Sequence, residues 1–231
     1  MPGQEGFLKV RCHMPTFGLC GVILAAGQSS RMGHDKALLR WPSGNDASPG
    51  PRPQSTLLSS SIQALSNHCE LVLVVAGENA KNLRPIVYGC GGDLVVNAAP
   101  ELGQFSSLQV GLREVLYRGR DSAMVTLVDR PPLQDETLAT LVEAFRSRHY
   151  GHWAVVPEFQ GNHGHPILIG REMIEAFLRA PVSSNARQVE HSCQQRIVYL
   201  ETTDPRVTTN LNTPEAYASV QSSNLRVEPS R

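Results

Sequence analysis

Along the first two thirds of the chain, short apolar runs alternate with segments of helical period. Leu19–Leu24 (LCGVIL), Leu71–Val75 (LVLVV), Leu94–Val96 and Ala123–Val128 (AMVTLV) are too short for helices and carry almost no polar face, the pattern of strands buried on both sides. Between them, Leu57–Leu65, Ser107–Tyr117 and Thr137–Phe145 place apolar residues at helical spacing. Buried strands separated by helices predict an α/β fold: a Rossmann-like, three-layer α/β/α arrangement with a mostly parallel sheet.

After Tyr150 the rhythm changes. WAVVPEF and HPILIG predict strands flanking a glycine-rich loop, Glu172–Leu178 a helix, and RIVYLE a late strand. Thr213–Val220 predicts a closing helix with Pro214 in its first turn. Residues 1–18 have no period and predict a loose leader, and 221–231 a frayed tail. What lies between, 19–220, is expected to be a single domain in two halves, about 19–150 and 151–220. Trp41–Ser55 (WPSGNDASPGPRPQS) predicts a solvated loop, either a lid or a tolerated insertion.

Composition narrows the function classes. The chain has 231 residues, 41% hydrophobic and 18% charged, which suits one globular α/β domain. Its 21 basic residues balance 21 acidic ones, so there is no general cationic field for nucleic acid or a membrane surface, although a local basic pocket remains open. Five cysteines without a C-x-x-C pair predict reduced thiols. With no apolar secretory segment and no run of about 18 apolar residues, the expectation is a soluble, cytoplasmic protein.

The chemistry concentrates where the first strand ends, in VILAAGQSSRMGHDKALL (Val22–Leu39). Gly27, Ser29, Ser30 and Gly33 allow a tight turn that points backbone N–H groups at an anion. Arg31 and Lys36 add charge-assisted hydrogen bonds suited to phosphate. Neither G-x-x-x-x-G-K-[ST] nor G-x-G-x-x-G is present, so this is neither a P-loop nor a dinucleotide fingerprint. The competing reading is a plain strand-to-helix turn with surface charges.

LAAGQSSRMGHDK (Leu24–Lys36) resembles the signature loop of the MobA-like nucleotidyltransferases, L-A-x-G-x-S-x-R-M-G-x-x-K. The resemblance implies a fold of the glycosyltransferase-A, nucleotide-diphospho-sugar transferase type. It implies a loop around a nucleoside triphosphate, with nucleotide contacts from Leu24, Ala25, Ala26, Gly27, Gln28, Ser29 and Ser30. Arg31 and Lys36 would then be catalytic phosphate-binding groups. VDRPPL (Val128–Leu133) resembles the family element whose aspartate holds a divalent metal, which makes Asp129 a Mg²⁺ ligand; a turn residue before Pro131 is the alternative. ELGQFSSLQVGL (Glu101–Leu112) resembles the segment beside the base and sugar, and implies roles for Ser106, Ser107 and Leu108. Ser106 also reads as a helix N-cap.

HGHPILIG (His163–Gly170) resembles the acceptor-side G-H-P element, which points to His165; a packed loop histidine competes, and a zinc site lacks ligands at the expected spacing. NAR (Asn185–Arg187) falls at the family's G-A-R helix start and makes Arg187 a candidate for acceptor phosphate. NLNTPEAY (Asn210–Tyr217) resembles the terminal metal element, but with Asn210 and Asn212 where the stronger form has acids. The implied reaction moves a nucleoside monophosphate from CTP or GTP to a phosphorylated acceptor, such as molybdopterin, and releases pyrophosphate. AAG at 25–27 resembles the cytidylyl branch and NLNTP the guanylyl branch, so the base stays open. A sugar-phosphate acceptor and a non-catalytic nucleotide-binding domain are the alternatives; the two asparagines favour the latter, and Arg31, Lys36 and Asp129 oppose it.

Overall fold

A computed structural model of the protein describes residues 18–27, 35–41, 55–213, 216–218 and 220. At its centre is β1 (Leu19–Leu24), buried at all six positions. Cys20, Val22 and Leu24 face one apolar cluster while Leu19 and Ile23 face another, so a polar residue on either side would be buried. β1 pairs in parallel with β2 (Leu71–Ala76) and with β4 (Ser122–Leu127), and β3 (Asp93–Val96) extends the sheet beyond β2. On the other side β7 (Ile167–Gly170) joins β4 antiparallel, and β5 (Ala154–Phe159) joins β7 antiparallel. β5 also pairs antiparallel with the short β6 (Asn162–His163) and in parallel with β8 (Ile197–Glu201). The order is β3-β2-β1-β4-β7-β5-β6, with β8 against β5.

Helices cover both faces. α1 (Leu57–Ser66), α2 (Ala80–Gly89) and α4 (Asp135–Ser147) bury Leu58, Ile62, Leu83, Val87, Leu138, Leu141 and Phe145 on one face. α3 (Gln104–Tyr117), α5 (Arg171–Arg179) and α6 (Ala186–Ser192) bury Leu108, Leu112, Met173, Phe177 and Val189 on the other. α3 lies close to the sheet because residue 111 is glycine: a Cβ there would sit 2.9 Å from the side chains of both Val22 and Val75. The three-layer, mostly parallel architecture is the one the apolar runs predict. From β1 the chain adds β2 and β3 on one side and β4 on the other. The carboxyl ends of β1 and β4 therefore form a topological switch point, where open α/β sheets bind ligands.

Two local expectations need correction, and one helix shows no pattern in the sequence. α3 starts at Gln104 rather than Ser107, because Gly103, with φ 94°, is the N-cap and Ser106 lies within the first turn. α2 lacks a clear periodic signal because only Leu83 and Val87 are buried and Pro85 interrupts the run. Trp41 is not part of a solvated loop. It is buried with Leu57 and Leu211, and the ladder Trp41 N→Ser55 O (2.8 Å) and Leu57 N→Leu39 O (2.7 Å) closes the loop's base. Residues 42–54, the leader through residue 17, Pro214 and the tail from 221 lie outside the described residues; 216–218 and 220 are helical, as expected of the closing helix.

Candidate active site

Past the carboxyl ends of β1 and β4, the backbone bonds Ala25 N→Val75 O (2.8 Å) and Val128 N→Leu24 O (3.0 Å) carry the ladder out toward Asp129. Lys36 opens a short 3-10 turn, Lys36–Leu38, whose N-cap Asp35 accepts from Ala37 N at 3.0 Å. Asn79 fixes this turn to the sheet. Its Nδ2 donates to Asp35 Oδ2 (2.7 Å) and Ala25 O (2.9 Å), while its Oδ1 accepts from Gly77 N (3.1 Å). The chain beyond β8 reaches the same place through Leu211 N→Asp129 O, 2.8 Å.

Three predicted residues meet there. Lys36 Nζ donates to Asn212 Oδ1 at 2.7 Å and lies 3.4 Å from Asp129 Oδ2. The ion pair is partly buried, with Lys36 14% and Asp129 25% exposed. The other carboxylate oxygen, Asp129 Oδ1, is buried and has no hydrogen-bond partner among the described residues. Both asparagines are exposed, and Asn212 is the one that bonds to the lysine.

Beside this cluster lies a cavity of about 410 Å³, lined by Ala26, Gly27, Lys36 and Asp129 on one side and Pro100, Gly103, Gln104 and Ser107 on the other. Ser106 and Ser107 are both buried, and Asn97 Nδ2 donates to their hydroxyls at 2.9 and 3.0 Å. Ser106 Oγ donates to Gly103 O at 2.7 Å and lines neither this cavity nor the next. Ser107 is the serine that faces the space.

A second cavity, about 620 Å³, shares Leu24, Gln104 and Leu127 with the first. Leu108, His165 and Arg187 line it, together with Glu190. Arg187 stands in the first turn of α6, where Asn185 caps the helix in a reciprocal box with Gln188, as the NAR stretch predicts. His165 is held by His165 N→Val207 O at 2.8 Å. Burial drives its imidazole down to about 4, with the Arg130 charge adding to the effect and a hydrogen bond to the Val125 backbone opposing it. The ring is therefore neutral at physiological pH, and its buried Nδ1 has no partner among the described residues.

Of the remaining predicted residues, Leu24 lines both cavities and Ala25 is buried beneath them. Gln28, Ser29, Ser30 and Arg31 lie outside the described residues. Sequence reasoning passes over Asn79, Asn97 and Glu190. Nothing local marks them: Asn79 and Asn97 stand after strand ends as turn asparagines commonly do, and Glu190 sits in a polar helix.

Residues 21–197 match the MobA-like NTP transferase domain. A probable molybdenum cofactor guanylyltransferase of Rhodopirellula baltica is 33% identical over 55% of this chain and 56% of its own. The molybdenum cofactor cytidylyltransferase of Escherichia coli is 27% identical over 72% of this chain and 78% of its own. The match to the first of these relatives thus spans little more than half of its length. Among solved structures, a nucleotidyl transferase from Methanothermobacter superposes with a TM-score of 0.72 at 21% identity, covering 91% of this chain and 99% of that one. The molybdopterin-guanine dinucleotide biosynthesis protein A of Archaeoglobus fulgidus gives 0.64 at 15%, covering 90% and all of that chain; at these identities the likeness is one of fold. With the domain match covering most of the described sheet and the Lys36–Asp129 pair at its switch point, the chain belongs to the MobA-like NTP transferase family.

Proposed function

We propose that the protein transfers a nucleoside monophosphate from CTP or GTP to a phosphorylated acceptor of the molybdopterin type, with release of pyrophosphate, in the cytoplasm. The observation that carries this reading is the convergence of Lys36, Asp129 and Asn212 beside the smaller of two adjoining cavities. Two substrates must meet at one phosphorus, and two spaces sharing Leu24, Gln104 and Leu127 suit that need. The names of the relatives support a molybdenum-cofactor acceptor.

In this reading the smaller cavity takes the nucleotide. Gly27 and Lys36 face the triphosphate, and Gln104 and Ser107 the sugar and base. Lys36 lends a positive charge to the phosphates, in a partly buried setting where it is poorly screened. The larger cavity takes the acceptor, with Arg187 toward its phosphate and neutral His165 as a hydrogen-bonding group without charge. The acceptor phosphate is already anionic near neutral pH, so no general base is required. Catalysis then comes from positioning and charge neutralisation.

Asp129 and Asn212 fit Mg²⁺: both offer hard oxygens, and the buried Asp129 Oδ1 has no partner among the described residues. Among the described residues no group of three or more His, Cys, Asp or Glu side chains gathers, so most ligands must come from phosphates and water. Bound there, the ion would neutralise phosphate charge and favour the departure of pyrophosphate. The test is pyrophosphate release with Mg²⁺, each of four nucleoside triphosphates, and either molybdopterin or a sugar phosphate. Release that requires molybdopterin and one of GTP or CTP supports the reading. Release with sugar phosphates alone, or none with any pair, overturns it.

A further inference from the structure

Glu190 has no task in the scheme above, yet its setting is unusual. It lies on α6 one turn after Arg187 and lines the larger cavity, whose walls on the sheet side and α3 are apolar except for Gln104: Leu24, Phe105, Leu108, Val125 and Ile167. Among the described residues, no hydrogen bond or ion pair reaches its carboxylate. Arg187 acts on it only at a distance, and Tyr199 on β8 feels its charge without bonding to it. Of the other titratable groups of the cavity, His163 pairs with Glu158 at 3.3 Å and stacks on Tyr199, and the His165 imidazole is held neutral by burial. A carboxylate taken partly out of water without protein donors is costly, and a ligand bringing two N–H groups would offset that cost.

We propose that Glu190 is the specificity-determining residue of the larger cavity, accepting paired N–H donors from the 2-amino-4-oxo-pyrimidine edge of a flat heterocycle packed against the apolar wall. A carboxylate matches that edge because its two oxygens accept from the exocyclic amino group and the adjacent ring N–H side by side. The inference rests on the assignment of this cavity to the acceptor. Two ligands of the reaction carry such an edge: the pterin of a molybdopterin-type acceptor and the guanine of GTP. Burial also raises the Glu190 carboxyl to about 7, against the pull of Arg187, as expected of an acceptor group that lacks donors in the free protein.

The experiment compares ligand pairs differing only at the 2-position, by fluorescence titration for pterin against lumazine and by calorimetry for GTP against ITP. Wild-type protein is expected to prefer the 2-amino member of one pair by about tenfold, the worth of one hydrogen bond to a charged group. Glu190→Gln should bring that pair to within about threefold, because a carboxamide turns a donor toward a donor, while Glu190→Asp should keep part of the preference. An unchanged melting temperature separates this loss from misfolding. Loss of the pterin preference supports the proposal with the acceptor as source; loss of the GTP preference supports it with the base as source and reverses the assignment of the cavities. No preference in the wild type, or a preference untouched by Glu190→Gln, overturns it. Molybdopterin-dependent pyrophosphate release by wild-type protein reports separately on the reaction, so either reading can fail alone.

Discussion

Lys36 Nζ lies 2.7 Å from Asn212 Oδ1, a bond that spans 176 residues of sequence. It joins the first crossover to the last segment of the chain, with Asp129 Oδ2 3.4 Å from the same ammonium. The lysine thus sits between the two side chains that suit a metal, in the position of a positive charge. On the proposed reading, a bound triphosphate would draw the ammonium toward phosphate oxygens and leave both side-chain oxygens to a cation. Lys36→Met should weaken triphosphate binding by about 1.5–3 kcal/mol, the worth of hydrogen bonds to charged groups. Calorimetric titration with a non-hydrolysable GTP or CTP analogue checks this, and unchanged affinity would remove Lys36 from the phosphate site.

The same contact makes a prediction about the metal. Asn212→Asp adds a carboxylate that serves both the lysine and a cation, so its benefit to the cation is partly masked while Lys36 is present. In the Lys36→Met background the substitution should raise Mg²⁺ affinity by about tenfold, and by less in the wild type. Mn²⁺ followed by electron paramagnetic resonance gives both affinities without any turnover. Equal gains in the two backgrounds would show that Lys36 and the metal do not compete for Asn212.

Asn97 organises the first turn of α3 from outside the helix. Its Nδ2 holds Ser106 and Ser107, and its Oδ1 accepts from Ala99 N at 3.0 Å. Asn97→Ala strands these buried groups at a cost of about 1–3 kcal/mol, and melting should fall by about 2–4 °C for each kcal/mol. Because Ser107 faces the smaller cavity, the KM for nucleotide should rise while that for acceptor stays near its wild-type value. Steady-state kinetics with each substrate varied in turn would show the split.

Two groups of the larger cavity give opposite contributions to stability against pH. His165 is lowered from 6.5 to about 4, so the unfolded chain binds the extra proton first as pH falls. Its contribution is full above about 6.5 and is lost on the way down to about 4, roughly 3 kcal/mol in all. Glu190 is raised from 4.5 to about 7, so its contribution is full below about 4.5 and is lost as pH rises toward 7. Urea midpoints between these limits should fall less steeply on acidification in His165→Asn than in wild type. In Glu190→Gln, where the opposing slope is removed, they should fall more steeply. Parallel curves for all three proteins would contradict both assignments.

The fold was legible because β1, β2 and β4 are buried on both faces and so read as unbroken apolar runs. α2 and α6 were harder to see: each buries two or fewer side chains, too few to establish a period. At the site, Lys36, Asp129 and Asn212 were legible through motif resemblance, and the structure adds that they touch. Asn79 and Asn97 were not legible, because an asparagine that clamps a distant turn looks the same in sequence as one in solvent. Glu190 was hidden for a related reason. The other walls of the cavity it lines come from the β6 hairpin and α3, both far away in the chain.

Gln109 is buried, and its side-chain amide Nε2 donates to Phe177 O (2.9 Å) and Ala180 O (2.8 Å) at the end of α5. The helix that carries it also supplies Gln104 and Ser107 to one cavity and Phe105 and Leu108 to the other. α3 is therefore a common wall, pinned at Gly111 to the sheet and at Gln109 to the neighbouring helix. A shift of that wall cannot widen one compartment without altering its neighbour. Substitutions that retune one compartment while sparing the other must come from the outer walls: the Pro100–Gly103 segment for the smaller, and α6 with the β6 hairpin for the larger.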